Sequence, residues 1–285
     1  MKLVTFSTKF ATTPTAGVLI DNEIVDLAPF GYASILSLIQ CGAPALADIN
    51  AKLPNAPRIP FETVTLHAPI PRPPRIFGIG LNYQKHADES KMSVQKVPTV
   101  FMKLSSSVTG PDHPIILPKI SEQPDYEAEF AVVISKPGYQ IAAEDWYHHV
   151  FGYTIVNDVT ARDLQGRHKQ WLIGKSQDSF CPMGPWLVSA DEIDLGNTSV
   201  RCWVNGELRQ DANTKALIFD VPTLIETLSK GLTLLPGDII ATGTPAGVGI
   251  GFNPPKYLRA GDVVRIEIAG IGVLENPVAA FREAA

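Results

Sequence analysis

The sequence Asp125-Tyr-Glu-Ala-Glu-Phe-Ala-Val-Val-Ile134 has the pattern of a β-strand with apolar residues on both faces. Side chains two positions apart on a strand share a face, so Glu127 and Glu129 point the same way, next to Ala131 and Val133. The opposite face carries Tyr126, Ala128, Phe130 and Val132. We therefore expect this strand inside a β-rich domain, with both glutamates on one of its faces.

Two carboxylates this close together need a compensating charge. A proton, an arginine or a cation can offset the repulsion between Glu127 and Glu129, and a divalent metal is the economical choice. Asp158, which follows an apolar strand, is the best placed third ligand, although Asp163 is an equally hard donor that spacing does not exclude. Three carboxylates without histidine or thiolate suit Mg²⁺, Mn²⁺ or Ca²⁺. The alternative is that both glutamates face solvent on an edge strand.

Composition and charge describe an ordinary globular protein. Of the 285 residues, 45% are hydrophobic and 19% are charged. The net charge of -5 argues against a nucleic-acid partner, which favours a basic surface. No apolar run approaches the roughly 20 residues of a membrane-spanning helix, and no signal peptide is expected. Three widely spaced cysteines suit a reducing compartment, so we expect a cytoplasmic protein, with an organelle matrix as the alternative.

Two domains are predicted, a small N-terminal α+β domain over residues 1–68 and a catalytic domain over residues 69–285. The segment Ala68-Pro-Ile-Pro-Arg-Pro-Pro-Arg75 suits neither a helix nor a central strand, which makes it the expected linker. The smaller domain is predicted to contain one strand, a hairpin and two short helices, over residues 3–7, 17–20 with 24–27, 34–39 and 45–53.

The larger domain is predicted to be rich in strands. Asn205-Gly206 is a strong signal for a type I′ hairpin turn, and Pro222 to Lys230 has the pattern of an amphipathic helix. Short apolar runs between turns predict strands over residues 75–79, 99–102, 129–134, 153–156, 186–188, 200–204, 239–242 and 263–268. Because strands do not alternate regularly with helices, we expect a mixed β-rich α+β fold and no doubly wound sheet.

Several further residues could take part in chemistry or binding. His86 and Glu89 would share one side of a helical turn, where the carboxylate could orient the imidazole as a general base. The alternative is a solvated polar turn. Lys103, Arg162 and Lys175 lie near apolar strands and could hold an anionic substrate, although lysines are usually surface residues.

The glycine-rich segment Thr242-Gly-Thr-Pro-Ala-Gly-Val-Gly-Ile-Gly251 matches neither dinucleotide nor phosphate-loop patterns. Its backbone N–H groups and the hydroxyl of Thr244 could still contact a carboxylate. The alternative is a tight corner between strands.

Seven separated motifs resemble the fumarylacetoacetate hydrolase family in order and in spacing, over about residues 70 to 280. They are Phe77-Gly-Ile-Gly-Leu-Asn-Tyr83, Tyr126-Glu-Ala-Glu-Phe130, Asn157-Asp-Val-Thr-Ala-Arg-Asp-Leu-Gln165, Lys175-Ser176, Val204-Asn-Gly206, Pro236-Gly-Asp-Ile-Ile-Ala-Thr-Gly-Thr-Pro-Ala-Gly-Val-Gly249 and Ala260-Gly-Asp-Val-Val264. The resemblance implies a β-sandwich roll, usually homodimeric, with a small N-terminal domain that varies between members.

The resemblance also implies roles for individual residues. Glu127, Glu129 and Asp158 match ligands of Mg²⁺ or Mn²⁺, which selects Asp158 over Asp163. His86 and Glu89 match a pair on a lid helix. Gln165 and Lys175 match polar groups near the reacting carbonyl. Arg162 and Thr244 match positions associated with substrate binding.

The chemistry implied by the resemblance is hydrolysis of a C–C bond in a 3-acylpyruvate or related small anionic 2-oxo acid. The metal would stabilise an enolate, His86 would deprotonate the attacking water, and Lys175 with Gln165 would stabilise the oxyanion. Oxaloacetate decarboxylation, tautomerisation or isomerisation of 2-oxo dicarboxylates such as 2-hydroxyhepta-2,4-diene-1,7-dioate, and acid-sugar lyase or hydrolase chemistry would use the same residues. A carboxylate-binding protein without activity is the non-enzymatic alternative.

Overall fold

The computed structural model describes residues 1–90 and 92–281 of the chain, and strands dominate it. The strands are β1 Lys2–Thr8, β2 Thr15–Ile20, β3 Glu23–Asp26, β4 Ile59–Pro60, β5 Val64–His67, β6 Ile76–Gly80, β7 Thr99–Lys103, β8 Val108–Thr109, β9 Ile115–Leu117, β10 Pro124–Asp125, β11 Ala128–Ile134, β12 Val150–Asn157, β13 Thr160–Ala161, β14 Cys181–Ser189, β15 Ser199–Val204, β16 Glu207–Asn213, β17 Ile239–Ala241, β18 Val263–Ile268 and β19 Gly272–Ala280. The α-helices are α1 Ile35–Cys41, α2 Ala43–Lys52, α3 Gln84–Glu89, α4 Arg162–Arg167, α5 Leu172–Lys175 and α6 Val221–Ser229.

Three sheets organise these strands within the described ranges. The largest has the order β4-β3-β2-β1-β14-β12-β11-β17-β6-β7, with β5 paired to β1 and β8 paired to β14. A five-stranded sheet has the order β16-β15-β18-β19-β9, and β10 pairs with β13 alone. The mostly β, α+β architecture expected from the sequence is therefore confirmed.

Strand β11 lies in the middle of the largest sheet, between β12 and β17. All seven of its residues are buried. Phe130 and Val132 belong to the core cluster that also contains residues of the five-stranded sheet, such as Cys202. Ala131 and Val133 face a second cluster on the other side of the strand. The prediction of a strand with two apolar faces is confirmed, because each face packs against a different core.

Local signals placed the turn and helix of the larger domain correctly. Asn205 and Gly206 join β15 to β16 with φ values of 52° and 78°, the left-handed conformations that a type I′ turn requires. Helix α6 begins after Asp220, whose side chain accepts a hydrogen bond from the backbone N–H of Thr223. No α-helix in the described ranges is both long and apolar enough to cross a bilayer.

The N-terminal strands are continuous with the rest of the largest sheet. In β1, Leu3 pairs with Leu187 of β14 on one side and with Val18 of β2 on the other. Leu3 and Leu187 also share one core cluster with Ile39 of helix α1. Residues 1–68 therefore extend the sheet that contains β11, and the boundary at residue 68 stays a prediction about independent folding.

Candidate active site

The sheet topology brings four chain segments together at one edge. Strands β6 and β17 are parallel neighbours, so the segments that follow them leave the sheet at the same edge. Strand β11 runs antiparallel to β17 and β12, which places the start of β11 beside the end of β12. The site is consequently built from helix α3 after β6, the glycine-rich segment after β17, the residues before β11 and those after β12.

Glu127, Glu129 and Asp158 form a buried carboxylate cluster at this edge. Ala128 pairs with Asn157 across β11 and β12, so Asp158 lies beside Glu127, and its backbone N–H donates to the Glu127 carbonyl at 2.9 Å. One carboxylate oxygen from each of the three residues lies within 4.8 Å of the others. Their exposed fractions are 3%, 1% and 0%, so the alternative of two solvent-facing glutamates is wrong.

Asp163 lies apart from this cluster, in the first turn of α4. Its carboxylate accepts hydrogen bonds from the Ser121 hydroxyl at 2.6 Å and from the backbone N–H groups of Glu122 and Leu164 at 3.1 and 2.9 Å. Slight burial opposes ionisation, but these donors outweigh it and lower the pKa of Asp163. Asp163 therefore supports the local backbone, while Asp158 faces the two glutamates.

Three buried cations contact the carboxylates. The Lys175 ammonium lies 2.6 Å from Oε2 of Glu127 and 2.5 Å from Oδ2 of Asp158. Arg162 Nη2 lies 2.6 Å from Oε1 of Glu127, and Lys103 Nζ lies 2.6 Å from Oδ1 of Asp158. Burial alone would lower the pKa of Lys175, but Asp158 and Glu127 outweigh it and raise the pKa, so this lysine remains charged.

The two glutamates differ in their electrostatic surroundings. Burial alone would raise the pKa of Glu127, but Lys175 and Arg162 more than compensate and hold it below its usual range. For Glu129, burial and then the charges of Asp158 and Glu127 raise the pKa well above the usual value. The backbone N–H of Gly243 donates to Glu129 at 2.9 Å, which offsets this shift only in part. Glu129 is therefore the carboxylate whose charge is least compensated by the protein.

The donor set fits a hard divalent cation. All three acidic groups offer oxygen atoms, as Mg²⁺ and Mn²⁺ prefer. Around the site, four buried carboxylates face three buried cations, which leaves one uncompensated negative charge. The carboxylates are Asp125, Glu127, Glu129 and Asp158, and the cations are Lys103, Arg162 and Lys175. A bound dication would reverse this balance to one positive charge, which suits an anionic substrate.

His86 and Glu89 lie on helix α3 as the sequence predicts. His86 is 5% exposed, so the alternative of a solvated histidine is wrong. Its Nδ1 has no hydrogen-bond partner in the described part of the chain and lies 3.6 Å from Oε2 of Glu89. Both carboxylate oxygens of Glu89 accept from the backbone N–H of Gly247 at 3.1 Å. Glu89 therefore connects helix α3 to the glycine-rich segment.

Asp125 is a site residue that the sequence did not single out. It is fully buried and accepts hydrogen bonds from Arg162 Nε at 2.9 Å and from the backbone N–H groups of Gly249 and Ile250 at 2.6 and 3.0 Å. Burial raises the pKa of Asp125, although Arg162 opposes this shift. Its position before the glutamate pair was a possible signal, but its partners lie about 40 and 125 residues away.

Gln210 is a second residue without a sequence signal. From strand β16 of the other sheet, its side chain accepts from the Ala128 N–H at 3.0 Å and donates to the Thr244 hydroxyl at 2.8 Å. Thr244 in turn donates to the Ala128 carbonyl at 3.0 Å. Both backbone polar groups of Ala128, the residue between the two glutamates, are thereby hydrogen-bonded, which holds the backbone from which Glu127 and Glu129 project.

A cavity of about 80 Å³ lies over the cluster. His86, Arg162, Gln165, Lys175 and Thr244 line it together with the three clustered carboxylates. The remaining lining residues are Ile79, Gly80, Leu81, Ser90, Met92, Phe101, Trp171 and Ile250. Lys103 and Glu89 are not among the lining residues, so substrate contact by Lys103 stays a prediction.

The fold and the site together define a class, namely β-rich enzymes in which buried carboxylates, a lysine and a histidine surround a small cavity. Residues 75–279 match the model of the fumarylacetoacetate (FAA) hydrolase C-terminal domain. The chain belongs to the fumarylacetoacetate hydrolase family.

Three relatives illustrate the similarity. The chain is 55% identical to the oxaloacetate tautomerase YisK of Bacillus subtilis (strain 168), covering 92% of this chain and 95% of that protein. It is similar to the fumarylacetoacetate hydrolase of psychrophilic Exiguobacterium antarcticum, with a TM-score of 0.87, 40% identity and coverage of 99% and 100%. It is also similar to the maleylpyruvate hydrolase of Sphingobium sp. SYK-6 in complex with manganese (II) ion and pyruvate, with a TM-score of 0.84, 34% identity and coverage of 99% and 100%.

Proposed function

We propose that this protein is a divalent-metal-dependent enzyme that interconverts the keto and enol forms of a small 2-oxo acid, with oxaloacetate as the first substrate to test. The observation that carries the proposal is the buried cluster of Glu127, Glu129 and Asp158, bridged by Lys175 and facing a small cavity. The 55% identity to an oxaloacetate tautomerase supports the choice of substrate.

Glu127, Glu129 and Asp158 would hold Mg²⁺ or Mn²⁺, and the solved relative with manganese and pyruvate supports this assignment. When bound, the cation would act as a Lewis acid that polarises the 2-oxo group and acidifies the protons on C3. Lys175 and Arg162 supply positive charge that can attract the carboxylate of the substrate.

We assign to His86 the removal of the proton from C3, and the imidazolium would return this proton to the 2-oxo oxygen to complete the enol form. Its imidazole lines the cavity, and the nearby Glu89 carboxylate would orient the ring and stabilise the imidazolium that forms. The hydrogen bonds from Gly247 to Glu89 would hold this carboxylate in place while the proton moves.

Hydrolysis of a 3-acylpyruvate is the second candidate function. It is supported by the similarity to a maleylpyruvate hydrolase and by the same histidine, which could activate a water molecule. Lys175 and Gln165, which both line the cavity, would then stabilise the oxyanion at the distal carbonyl. Decarboxylation of oxaloacetate would use the same site residues and would require no attacking water.

A panel of 2-oxo acids with Mg²⁺ or Mn²⁺ distinguishes these reactions. Tautomerisation of enol oxaloacetate to its keto form lowers the enol absorbance without release of CO₂. Hydrolysis of a 3-acylpyruvate releases pyruvate and a carboxylic acid, and decarboxylation of oxaloacetate releases CO₂. Loss of activity on chelation, with unchanged thermal stability, is expected of a catalytic metal. Tight binding of 2-oxo acids without turnover of any of them would favour the carboxylate-binding alternative.

His86→Ala tests the assigned base. We expect kcat to fall by at least about 100-fold, since positioned general bases contribute roughly 10² to 10⁴. Manganese binding should persist, because His86 is not one of the three clustered carboxylates. The exposed His148 provides a matched control, and His148→Ala should keep full activity. Full activity in His86→Ala would remove the proposed base.

A further inference from the structure

Two glycines of strand β6 allow aromatic rings to lie directly against the strand. Gly78 pairs with Phe101 across β6 and β7, and a Cβ atom on Gly78 would overlap with the Phe101 ring. A Cβ atom on Gly80 would lie 2.7 Å from the Trp171 ring, closer than packed atoms approach. Both glycines point to the same face of the strand. The Gly-x-Gly pattern in residues 77–83 thus has a packing role beside the site.

The two rings form a continuous wall along the cavity. Phe101 and Trp171 both line it, and their ring centroids are 5.4 Å apart. The Lys175 ammonium lies 4.8 Å from the centroid of the Phe101 ring. The backbone N–H of Lys175 donates to the Trp171 carbonyl at 3.0 Å, so Lys175 and Trp171 belong to one turn, whereas Phe101 comes from strand β7.

The position of the wall relative to the charges determines what it can contact. The carboxylate cluster, Lys175 and Arg162 provide the charged part of the cavity. The Phe101 ring lies next to the Lys175 ammonium, and the Trp171 ring lies next to Phe101, so a ligand held by these charges has the two rings beside it. Both rings are only partly buried by the protein, so they retain surface that a ligand can cover.

We propose that Phe101 and Trp171, seated on Gly78 and Gly80, limit the length of the 2-oxo acid that the site accepts. This inference rests on the proposed function, because it assumes that the charged part of the cavity binds the 2-oxo carboxylate end. The cavity is small, about 80 Å³, and both rings are among its lining residues. A pocket wall that fits or excludes one methylene changes kcat/KM by roughly 10- to 200-fold.

Two truncations and a binding series test the wall. We expect Phe101→Ala and Trp171→Ala to raise kcat/KM for longer 2-oxo acids, relative to that for oxaloacetate, by at least about 10-fold. Phe101→Ala also removes the ring beside Lys175, so the ratio between substrates is the informative quantity. Tyr147→Ala, which removes an exposed ring outside the cavity, should leave the ratio unchanged. Thermal unfolding of each variant shows whether it is still folded. Trp171→Phe, which keeps an aromatic ring, is used if Trp171→Ala does not fold.

Binding of oxamate and N-alkyl oxamates of increasing length, measured by calorimetry with Mn²⁺, separates the wall from the catalytic proposal. Wild-type protein should bind longer oxamates progressively more weakly, and the two truncations should remove this penalty. If the wild type turns over oxaloacetate but the two truncations change neither the kcat/KM ratio between substrates nor the dependence of binding on oxamate length, the proposed role of the two rings is rejected and the proposed function stands. An inactive wild type that still selects oxamates by length would overturn only the proposed function. If no variant bound oxamate, both would be rejected.

Discussion

At the scale of single residues, Asp158 and Asp163 show how differently two neighbouring carboxylates can be used. Asp158 is fully buried and contacts the ammonium groups of Lys103 and Lys175. Asp163 accepts hydrogen bonds that hold the start of helix α4. Asp158 lines the cavity and Asp163 does not, so exchanging each carboxylate for an amide should give different defects.

Asp158→Asn should weaken Mn²⁺ binding by at least about 100-fold, since changes to residues that merely support a ligand already cost roughly 10- to 100-fold. Asp163→Asn is the matched control. It should bind Mn²⁺ normally and lose about 1 kcal/mol of unfolding free energy, because a charge-assisted hydrogen bond is weakened. Calorimetric titration and urea unfolding measure the two effects. An equal loss of metal affinity in both variants would contradict the assignment of ligands.

Metal affinity should also depend on pH through Glu129. The pKa of this carboxyl is raised, so the proton competes with the cation already at pH values above the ordinary range of glutamate. Lowering the pH through this raised pKa should reduce Mn²⁺ affinity by up to about tenfold per pH unit, as expected when one proton is displaced. Calorimetry between pH 8 and pH 5 measures the slope. A constant affinity over this range would argue against Glu129 as a ligand.

At the scale of secondary-structure elements, the glycine-rich segment after β17 holds three acidic residues at once. The backbone N–H groups of Gly243, Gly247 and Gly249 donate to Glu129, Glu89 and Asp125 respectively. These acids come from strand β11, helix α3 and strand β10. The tight corner expected from the glycines therefore also connects helix α3 to the carboxylate cluster.

Gly251→Ala tests this alignment. A methyl group on Gly251 would overlap with the Glu89 carboxylate and push it away from Gly247. We expect kcat to fall by about 10-fold with little loss of stability, because the end of the Glu89 side chain can move. Gly166→Ala in helix α4 meets no atom within 4 Å and should gain roughly 0.5 to 1 kcal/mol without loss of activity. Unchanged turnover in Gly251→Ala would show that the position of Glu89 does not limit the reaction.

At the scale of the whole molecule, the two predicted domains share one sheet and one core. Strand β1 pairs with β14, which also pairs with β12, the strand that leads to Asp158. Removing residues 1–68 would expose the edge of β14 and the apolar face of the second core cluster. The N-terminal strands and the strands that carry the carboxylate cluster therefore belong to one continuous sheet.

A fragment of residues 69–285 should fail to unfold cooperatively, and circular dichroism on heating measures this. The full chain is the control, and adding residues 1–68 as a separate fragment should restore part of the transition. A sharp transition of the fragment at the temperature of the full chain would establish residues 69–285 as an independent domain.

The homodimer stays a prediction, and sedimentation of the full chain tests it.

The features that could be read from the chain are those with short-range causes. Alternation along residues 125–134 was enough to predict a strand with two apolar faces and two glutamates on one of them, because side-chain direction depends only on local backbone geometry. The type I′ turn at Asn205-Gly206 and the helix after Asp220 follow from conformational preferences of single residues.

Long-range pairing decided the remaining features. Spacing alone favoured Asp158 without excluding Asp163, and it is the antiparallel pairing of Ala128 with Asn157 that brings Asp158 beside Glu127. Gln210 and the wall of Phe101 and Trp171 likewise depend on how separate sheets, strands and turns meet. A contact between distant segments is set by the packing of the whole chain, and no local pattern contains that information.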